Sequence, residues 1–182
     1  MKKKCFVAMP FDESFDKLYR LAIKEAITEA GYECLRADEL ACGGNILNNI
    51  VQNIDRAHFV IVDMSSLNPN VMYELGLSHA LRKNVILLIN DNTKVPTDLS
   101  SYFIIRYHDP NDRYNWSHIK NKIIESIHSF EQGTIDFGNP VIDHLRKNNQ
   151  DVEKLQDEKN EAAIEQKKAR KLEFKYIGQR QP

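Results

Sequence analysis

Apolar residues in this chain follow two patterns, short continuous runs and longer stretches at helical spacing. Cys5-Phe-Val-Ala-Met9 is a run closed by Pro10, which reads as a buried strand. From Glu13 to Ala30 the residues Phe15, Leu18, Ala22, Ile23, Ala26, Ile27 and Ala30 recur at helical spacing until Gly31; this predicts a helix. Tyr32 to Leu35 reads as a second strand. Gly43-Gly44-Asn45 opens a second helix carrying Ile46, Leu47, Ile50, Val51 and Ile54. His58 to Asp63 is a third strand, and the loop Met64 to Leu67 leads through Asn68-Pro69 into a third helix ending near Arg82. Asn84 to Asn90 and Tyr102 to Tyr107 read as the fourth and fifth strands. Trp116 to Phe130 closes the series as a helix with Ile119, Ile123, Ile124 and Ile127 on one side.

Strands that are apolar throughout and alternate with helices imply a parallel sheet covered on both faces. Right-handed crossovers favour a flavodoxin-like, doubly wound α/β domain with five parallel strands. Ligands bind such sheets beyond the carboxyl ends of the strands, near the switch in strand order. That edge is expected to hold Met9 to Phe11, Arg36 to Asn45, Asp63 to Glu74 and Asn90 to Thr93.

The domain is expected to span 1–132, followed by a linker at 133–140 and a charged helical tail at 141–182. In the tail, Leu145, Val152, Leu155, Ala162 and Ala169 form a weak heptad-like stripe interrupted by Lys159 and Gln166. It reads either as a solvated helix or as an oligomerisation or docking helix.

Composition narrows the classes. The 182 residues suit one domain with an appendage, and the formal net charge of −1 offers no broad basic field for nucleic acid. Cys5, Cys34 and Cys42 are too few, and odd in number, for a disulfide framework. The basic start Met1-Lys-Lys-Lys precedes only a short apolar run, unlike a signal peptide. No stretch approaches the ~20 apolar residues of a membrane span. A soluble, reduced, cytoplasmic protein is expected. The six histidines show no metal-ligand spacing, and no cofactor or metal is implied.

The chemistry-bearing stretch runs from Asp63 to Ala80. Asp63 ends a buried strand, which brings it to the ligand edge. Asn68 suits a helix N-cap and Pro69 the first helical position. Asn70 and Glu74 are then four apart on one helix face, and Gly76 permits close approach. Glu74 lies near the positive end of that helix, an environment that favours an ionised carboxylate. Breaking an N-glycosidic bond builds positive charge on the sugar. A carboxylate beneath the anomeric carbon can stabilise that charge or attack it, while Asp63, Asn68 and Asn70 orient hydroxyls or handle a proton. Simpler readings exist: Asp63 and Asn68 as caps of loop amides, and Glu74 as an exposed partner of Arg82 or Lys83.

Three segments, Phe6-Val-Ala-Met-Pro-Phe11, Ile50 to Ala57 leading into Val60-Ile-Val-Asp63, and Asn68-Pro-Asn-Val-Met-Tyr-Glu-Leu-Gly-Leu-Ser-His-Ala80 followed by Asn84-Val-Ile-Leu-Leu, resemble the nucleoside 2-deoxyribosyltransferase-like superfamily, in its bacterial branch with TIR-like character. The resemblance covers roughly Lys4 to Asn90. It implies that Glu74 is the nucleophile, that Asp63 is the strand-terminal aspartate, and that Met9 and Phe11 help enclose base or sugar. Asn68 stands where the transferases have an aspartate, and Asn48 or Asn49 where they have an acidic residue. These departures put transfer to a base in doubt and favour water as acceptor. TIR domains share the element order and use a helix-borne glutamate to cleave NAD, and bacterial relatives of both kinds act as phage-defence effectors.

Other candidates are weaker. Amides at Gly43, Gly44 and Asn45 suit a phosphate or a plain loop-to-helix turn. Arg36 suits a phosphate or a salt bridge. Three functions therefore stand: N-glycosidic cleavage or transfer on a nucleoside or nucleotide, TIR-like NAD hydrolysis, and non-catalytic nucleotide binding. The partners implied are such a small molecule and further copies of the chain, assembled through the tail.

Overall fold

The computed structural model describes residues 3–39 and 46–147. Strands β1 (Lys4–Ala8), β2 (Glu33–Arg36), β3 (Phe59–Asp63), β4 (Asn84–Asn90) and β5 (Ile104–Tyr107) form one parallel sheet in the order β2-β1-β3-β4-β5. This is the flavodoxin-like, doubly wound order. The helices are α1 (Glu13–Leu18), α2 (Lys24–Glu29), α3 (Ile46–Arg56), α4 (Pro69–Ala80) and α5 (Arg113–Glu131).

Side-chain alternation along the strands divides the core in two. Cys5, Val7, Phe59, Ile61, Ile86, Leu88 and Ile105 pack with α1, α2 and α5 residues such as Leu18, Ile27 and Ile123. Phe6, Val60, Val62, Val85, Leu87 and Ile89 pack on the opposite face with Ile54 of α3 and Val71 and Leu75 of α4. Strands buried on both faces carry no polar alternation, which is why they read as unbroken apolar runs.

Several boundaries differ from the sequence expectation by one to three residues, and one helix is interrupted. The first helix is interrupted at Tyr19–Ile23 by a π-helical segment, in which the Lys24 N–H donates to the Tyr19 carbonyl. Strand β5 starts at Ile104 rather than Tyr102, after a short turn at Thr97–Leu99. Helix α5 starts at Arg113 rather than Trp116, because Asp112 Oδ1 accepts from the Tyr114 N–H at 2.9 Å and caps it.

The chain divides into two units, Met1–Val141 and Ile142–Pro182. The stretch 133–140, expected to act as a linker, is anchored in the first. Phe137 is 3% exposed and meets Phe59, Phe103 and Phe130 at ring distances of 5.4–6.2 Å. Asn139 is buried and donates to the carbonyls of His79 and Lys83 at 3.3 and 3.2 Å, satisfying acceptors at the end of α4. Of the second unit, residues 142–147 are described and are helical. The stripe residues Val152, Leu155, Ala162 and Ala169 lie outside the described residues. Truncating Phe137 to Ala is expected to destabilise the domain by about 3 kcal/mol, measured as a lower urea midpoint at unchanged m-value; an unchanged midpoint would place Phe137 outside the cooperative core.

Candidate active site

The first crossover leaves β1 toward β2, and the chain then returns to β3 on the other side of β1. The loops after β1 and β3 therefore diverge and leave a crevice at the switch point. A cleft of about 300 Å³ opens there, lined by Met9, Pro10, Phe11, Asp12 and Phe15 on one side and Ser66, Asn68, Asn70, Val71 and Glu74 on the other. That volume is at the small end of ligand-binding pockets.

Helix α4 starts where the sequence predicts. The Asn68 side-chain oxygen accepts from the N–H groups of Asn70 and Val71 at 2.9 and 3.4 Å, and Pro69 opens the helix. Helical periodicity then turns Val71, Glu74, Leu75 and Ser78 inward. Val71 and Leu75 enter the core, while Glu74 comes to the cleft together with Asn70.

Glu74 is 6% exposed, and no hydrogen bond or ion pair reaches its carboxylate among the described residues. Lys83, a partner considered from sequence, pairs with Asp55 at 3.7 Å instead. Burial without compensation raises the Glu74 carboxyl to about 7. This reverses the expectation that the helix end would keep the group ionised. The dipole acts within the first turn and Glu74 lies beyond it, so desolvation prevails.

Asp63 does not join Glu74. It shares strand parity with Phe59 and Ile61, which places it on the α1–α5 side of the sheet, whereas α4 covers the other side. It is fully buried and does not line the cleft. Its Oδ1 accepts from the Ser65 N–H at 2.9 Å and its Oδ2 from the Tyr107 hydroxyl at 2.7 Å. Burial raises its pKa, opposed by the hydrogen bonds from Ser65 and Tyr107. The Ser65 and Tyr107 hydroxyls lie 2.8 Å apart, and Ser65 Oγ accepts from the Asn90 N–H at 2.9 Å. Every member is partnered, so the network holds the β3–α4 loop rigidly. The simpler reading, a cap for loop amides, describes what Asp63 does here.

That loop is strained. Ser66 and Leu67 have φ of 63° and 47°, a left-handed conformation that costs a residue with a Cβ roughly 1–2 kcal/mol. Sequence reasoning did not single out Ser66, because nothing in its identity announces positive φ. Asp12 was also missed. It caps α1 by accepting from the Ser14 N–H at 2.8 Å, and hydrogen bonds from Ser14 hold its carboxyl below the usual range. The Asp12-Glu13-Ser14 pattern at a helix start was the available signal.

Met9 and Phe11 line the cleft as expected, Met9 buried and Phe11 59% exposed. Arg36 does not line it. Its Nε and one terminal nitrogen each donate to Asp38 at 2.6 Å, and Asp16 Oδ1 accepts from both terminal nitrogens at 3.2 and 3.3 Å. The guanidinium lies 4.0 Å from the Tyr19 ring centroid and 5.9 Å from that of Phe11. Arg36 is thus a salt-bridged support beside Phe11, with its donors committed, rather than an open phosphate ligand. Gly43, Gly44 and Asn45 lie outside the described residues. Gly76 is exposed, with nothing within 4 Å of where a Cβ would sit, so no close approach explains it. Among the described residues no His, Cys, Asp and Glu cluster could hold a metal, and no helix is long and apolar enough to cross a membrane.

No protein-family model and no curated protein matches the chain. Solved structures do. The TIR domain of the Toll-related receptor TRR-2 from Hydra magnipapillata aligns with a TM-score of 0.53 and 16% identity, over 68% of this chain and 97% of that one. The CMP N-glycosidase BcmB from Clostridium botulinum aligns at 0.49 and 17%, over 64% and 99%. A 2-deoxyribosyltransferase from Bacillus psychrosaccharolyticus aligns at 0.45 and 19%, over 64% and 95%. At these identities the likeness is one of fold. The chain is a flavodoxin-like α/β domain of the TIR shape, with a desolvated carboxylate at its switch-point cleft.

The raised pKa of Glu74 sets a pH dependence of stability. The folded state binds this proton more tightly than the unfolded chain does. No penalty exists below the ordinary value of 4.5, and it grows as pH rises through about 7. Allowing for screening by water in the cleft, the full penalty is on the order of 2 kcal/mol. Glu74→Gln is therefore expected to match wild type in urea denaturation at pH 4.5 and to exceed it at pH 8. Equal stability at both would show that the carboxylate is not desolvated.

Proposed function

We propose that this protein cleaves the N-glycosidic bond of a nucleoside or nucleotide, with Glu74 acting on the anomeric carbon. The observation that carries the reading is the unpartnered, desolvated Glu74 carboxylate opening onto a cleft. A carboxylate left without a cation in the resting state interacts most strongly with positive charge that appears during the reaction, which is the requirement for differential stabilisation of a transition state. As the C–N bond breaks, the sugar ring gains oxocarbenium character. Glu74 in its ionised form either stabilises that cation or captures it as a glycosyl ester. The base departs with the C–N electron pair; water then bonds to the anomeric carbon, releasing the Glu74 oxygen if an ester has formed, and the proton it gives up balances the one taken by the base.

The cleft supplies what such a substrate needs. Met9, Phe11 and Phe15 offer apolar and aromatic surface for a planar base. The Asn68 oxygen is occupied by helix amides, which leaves its amide hydrogens, with the Asn70 side chain, as donors for sugar hydroxyls. The sequence resemblance supports the assignment, since Glu74 matches the nucleophile of the 2-deoxyribosyltransferases. Asn68 in place of an aspartate removes a second carboxylate that could take the proton from an incoming base, which favours water over a base as the acceptor.

NAD hydrolysis is the second reading, favoured by the alignment on a TIR domain and by the same helix-borne glutamate. NAD also carries an N-ribosyl bond, so the chemistry asked of Glu74 is unchanged. We further propose that the protein works in the cytoplasm, as a bacterial defence effector, and assembles with its own copies through the tail.

Incubation with NAD and a panel of nucleosides and nucleotides tests the proposal. Release of a nucleobase is expected, whereas release of nicotinamide would select the second reading. Glu74→Gln is expected to lower kcat by at least about a thousandfold while ligand-induced thermal stabilisation persists. Ligand binding without turnover by wild type would leave a non-catalytic binding module. The pH profile tests the role of the carboxylate. If the ionised form reacts, kcat/KM rises with pH and levels off above about 7, because the free-enzyme group governs it. A profile that falls through the same pH would make Glu74 a proton donor and overturn the nucleophile assignment.

A further inference from the structure

The strained turn at Ser65–Leu67 has a specific consequence for the cleft. Ser66 is exposed and lines the cleft with Glu74 and Asn68, yet its backbone has φ of 63° and ψ of 0°. Glycine would occupy this position at lower conformational cost. The surrounding structure over-determines the conformation. The Ser66 N–H donates to Thr93 Oγ1 at 3.2 Å, and that hydroxyl donates to Asn90 Oδ1 at 2.7 Å. The Leu67 N–H donates to the Met64 carbonyl at 3.0 Å, and the Met64 N–H to the Leu88 carbonyl at 2.9 Å. One residue earlier, Ser65 is fixed through both its N–H and its hydroxyl by the buried Asp63 and Tyr107 and the half-buried Asn90. The hydroxyl of Ser66 itself makes no hydrogen bond among the described residues. A costly backbone conformation is thus retained in a residue that lines the cleft and whose hydroxyl is uncommitted, and retained strain of this kind points to use of the side chain.

We infer that Ser66 is a specificity-determining residue whose hydroxyl hydrogen-bonds a sugar hydroxyl of the substrate, and that Asp63, Tyr107 and Ser65 are positioning residues that hold it there. The inference rests on the proposed sugar-bearing substrate but not on its cleavage. Binding is therefore measured in the Glu74→Gln background, where no turnover intervenes. The probes are ribonucleosides and NAD, each beside its 2′-, 3′- or 5′-deoxy counterpart where that exists.

Removal of the recognised hydroxyl is expected to weaken binding roughly three- to tenfold, the range of one neutral hydrogen bond. Adding Ser66→Ala is expected to weaken the parent ligand by a similar factor and to abolish its advantage over that deoxy analogue. Ser66→Gly is expected to lose the same discrimination while raising the melting temperature, because it relieves the turn; this separates loss of recognition from loss of fold. Tyr107→Phe is expected to weaken discrimination only in part. If Ser66→Ala retains the full discrimination among all deoxy analogues, the Ser66 assignment is overturned and the Glu74 reading stands. If ligands bind with Ser66-dependent discrimination but wild type never cleaves them, the cleavage reading falls and this one survives. If no nucleoside, nucleotide or NAD probe binds, both are overturned.

Discussion

A carboxylate withdrawn from water without a counter-charge is unfavourable, and the rest of this structure is organised around tolerating one. Glu74 sits on a helix whose neighbouring inward residues, Val71 and Leu75, are locked into the apolar core. Those contacts fix the helix face from which the carboxylate projects. The sheet beneath is apolar on both sides, so it offers the carboxylate no competing donor. The stabilising free energy comes from the large buried surface of the doubly wound domain, which makes a local penalty of this size affordable.

The two faces of the sheet divide the labour. The α4 side carries the desolvated Glu74 carboxylate. The α1–α5 side carries Asp63 and Tyr107, hydrogen-bonded to one another and to Ser65 of the β3–α4 loop. One loop, between β3 and α4, joins the two functions, because Ser65 points to the buried network while the next residue reaches the cleft. An acidic residue at a strand end can therefore support a site it never touches, and its fixed hydrogen bonds are better suited to that than to proton exchange with a ligand.

Much of the fold was legible in the sequence because it rests on short-range signals. Unbroken apolar runs marked the strands, helical spacing marked the layers, and Asn68-Pro69 marked the start of α4. A cleft lies where the crevice rule expects one, and Asn70 and Glu74 both line it, as their four-residue spacing requires. Asp63 was misplaced because strands buried on both sides do not reveal which parity faces which helix layer. Ser66 was invisible because its importance lies in a backbone angle, and that angle is imposed by Thr93, Asn90 and Met64 through tertiary contacts. Arg36 was ambiguous because only one of its partners, Asp38, is local in sequence, while the other, Asp16, becomes a neighbour only when α1 folds against the sheet. The π segment follows no residue pattern of its own.

That π segment has a consequence for how the chain tolerates change in length. Between Leu18 and Lys24 the backbone winds more loosely than an α-helix, absorbing one extra residue per bulge. On either side, Phe15 and Leu18 before it and Ala26 and Ile27 after it face the same core. Loss of a single residue from this stretch could be met by tightening the loop into regular α geometry with both flanks still seated. The same deletion within α4 would have no slack to draw on. Each residue there advances the face by about 100°, and Glu74 would rotate out of register with the crevice. The first helix thus holds a spare residue in reserve, and the helix that bears the carboxylate holds none.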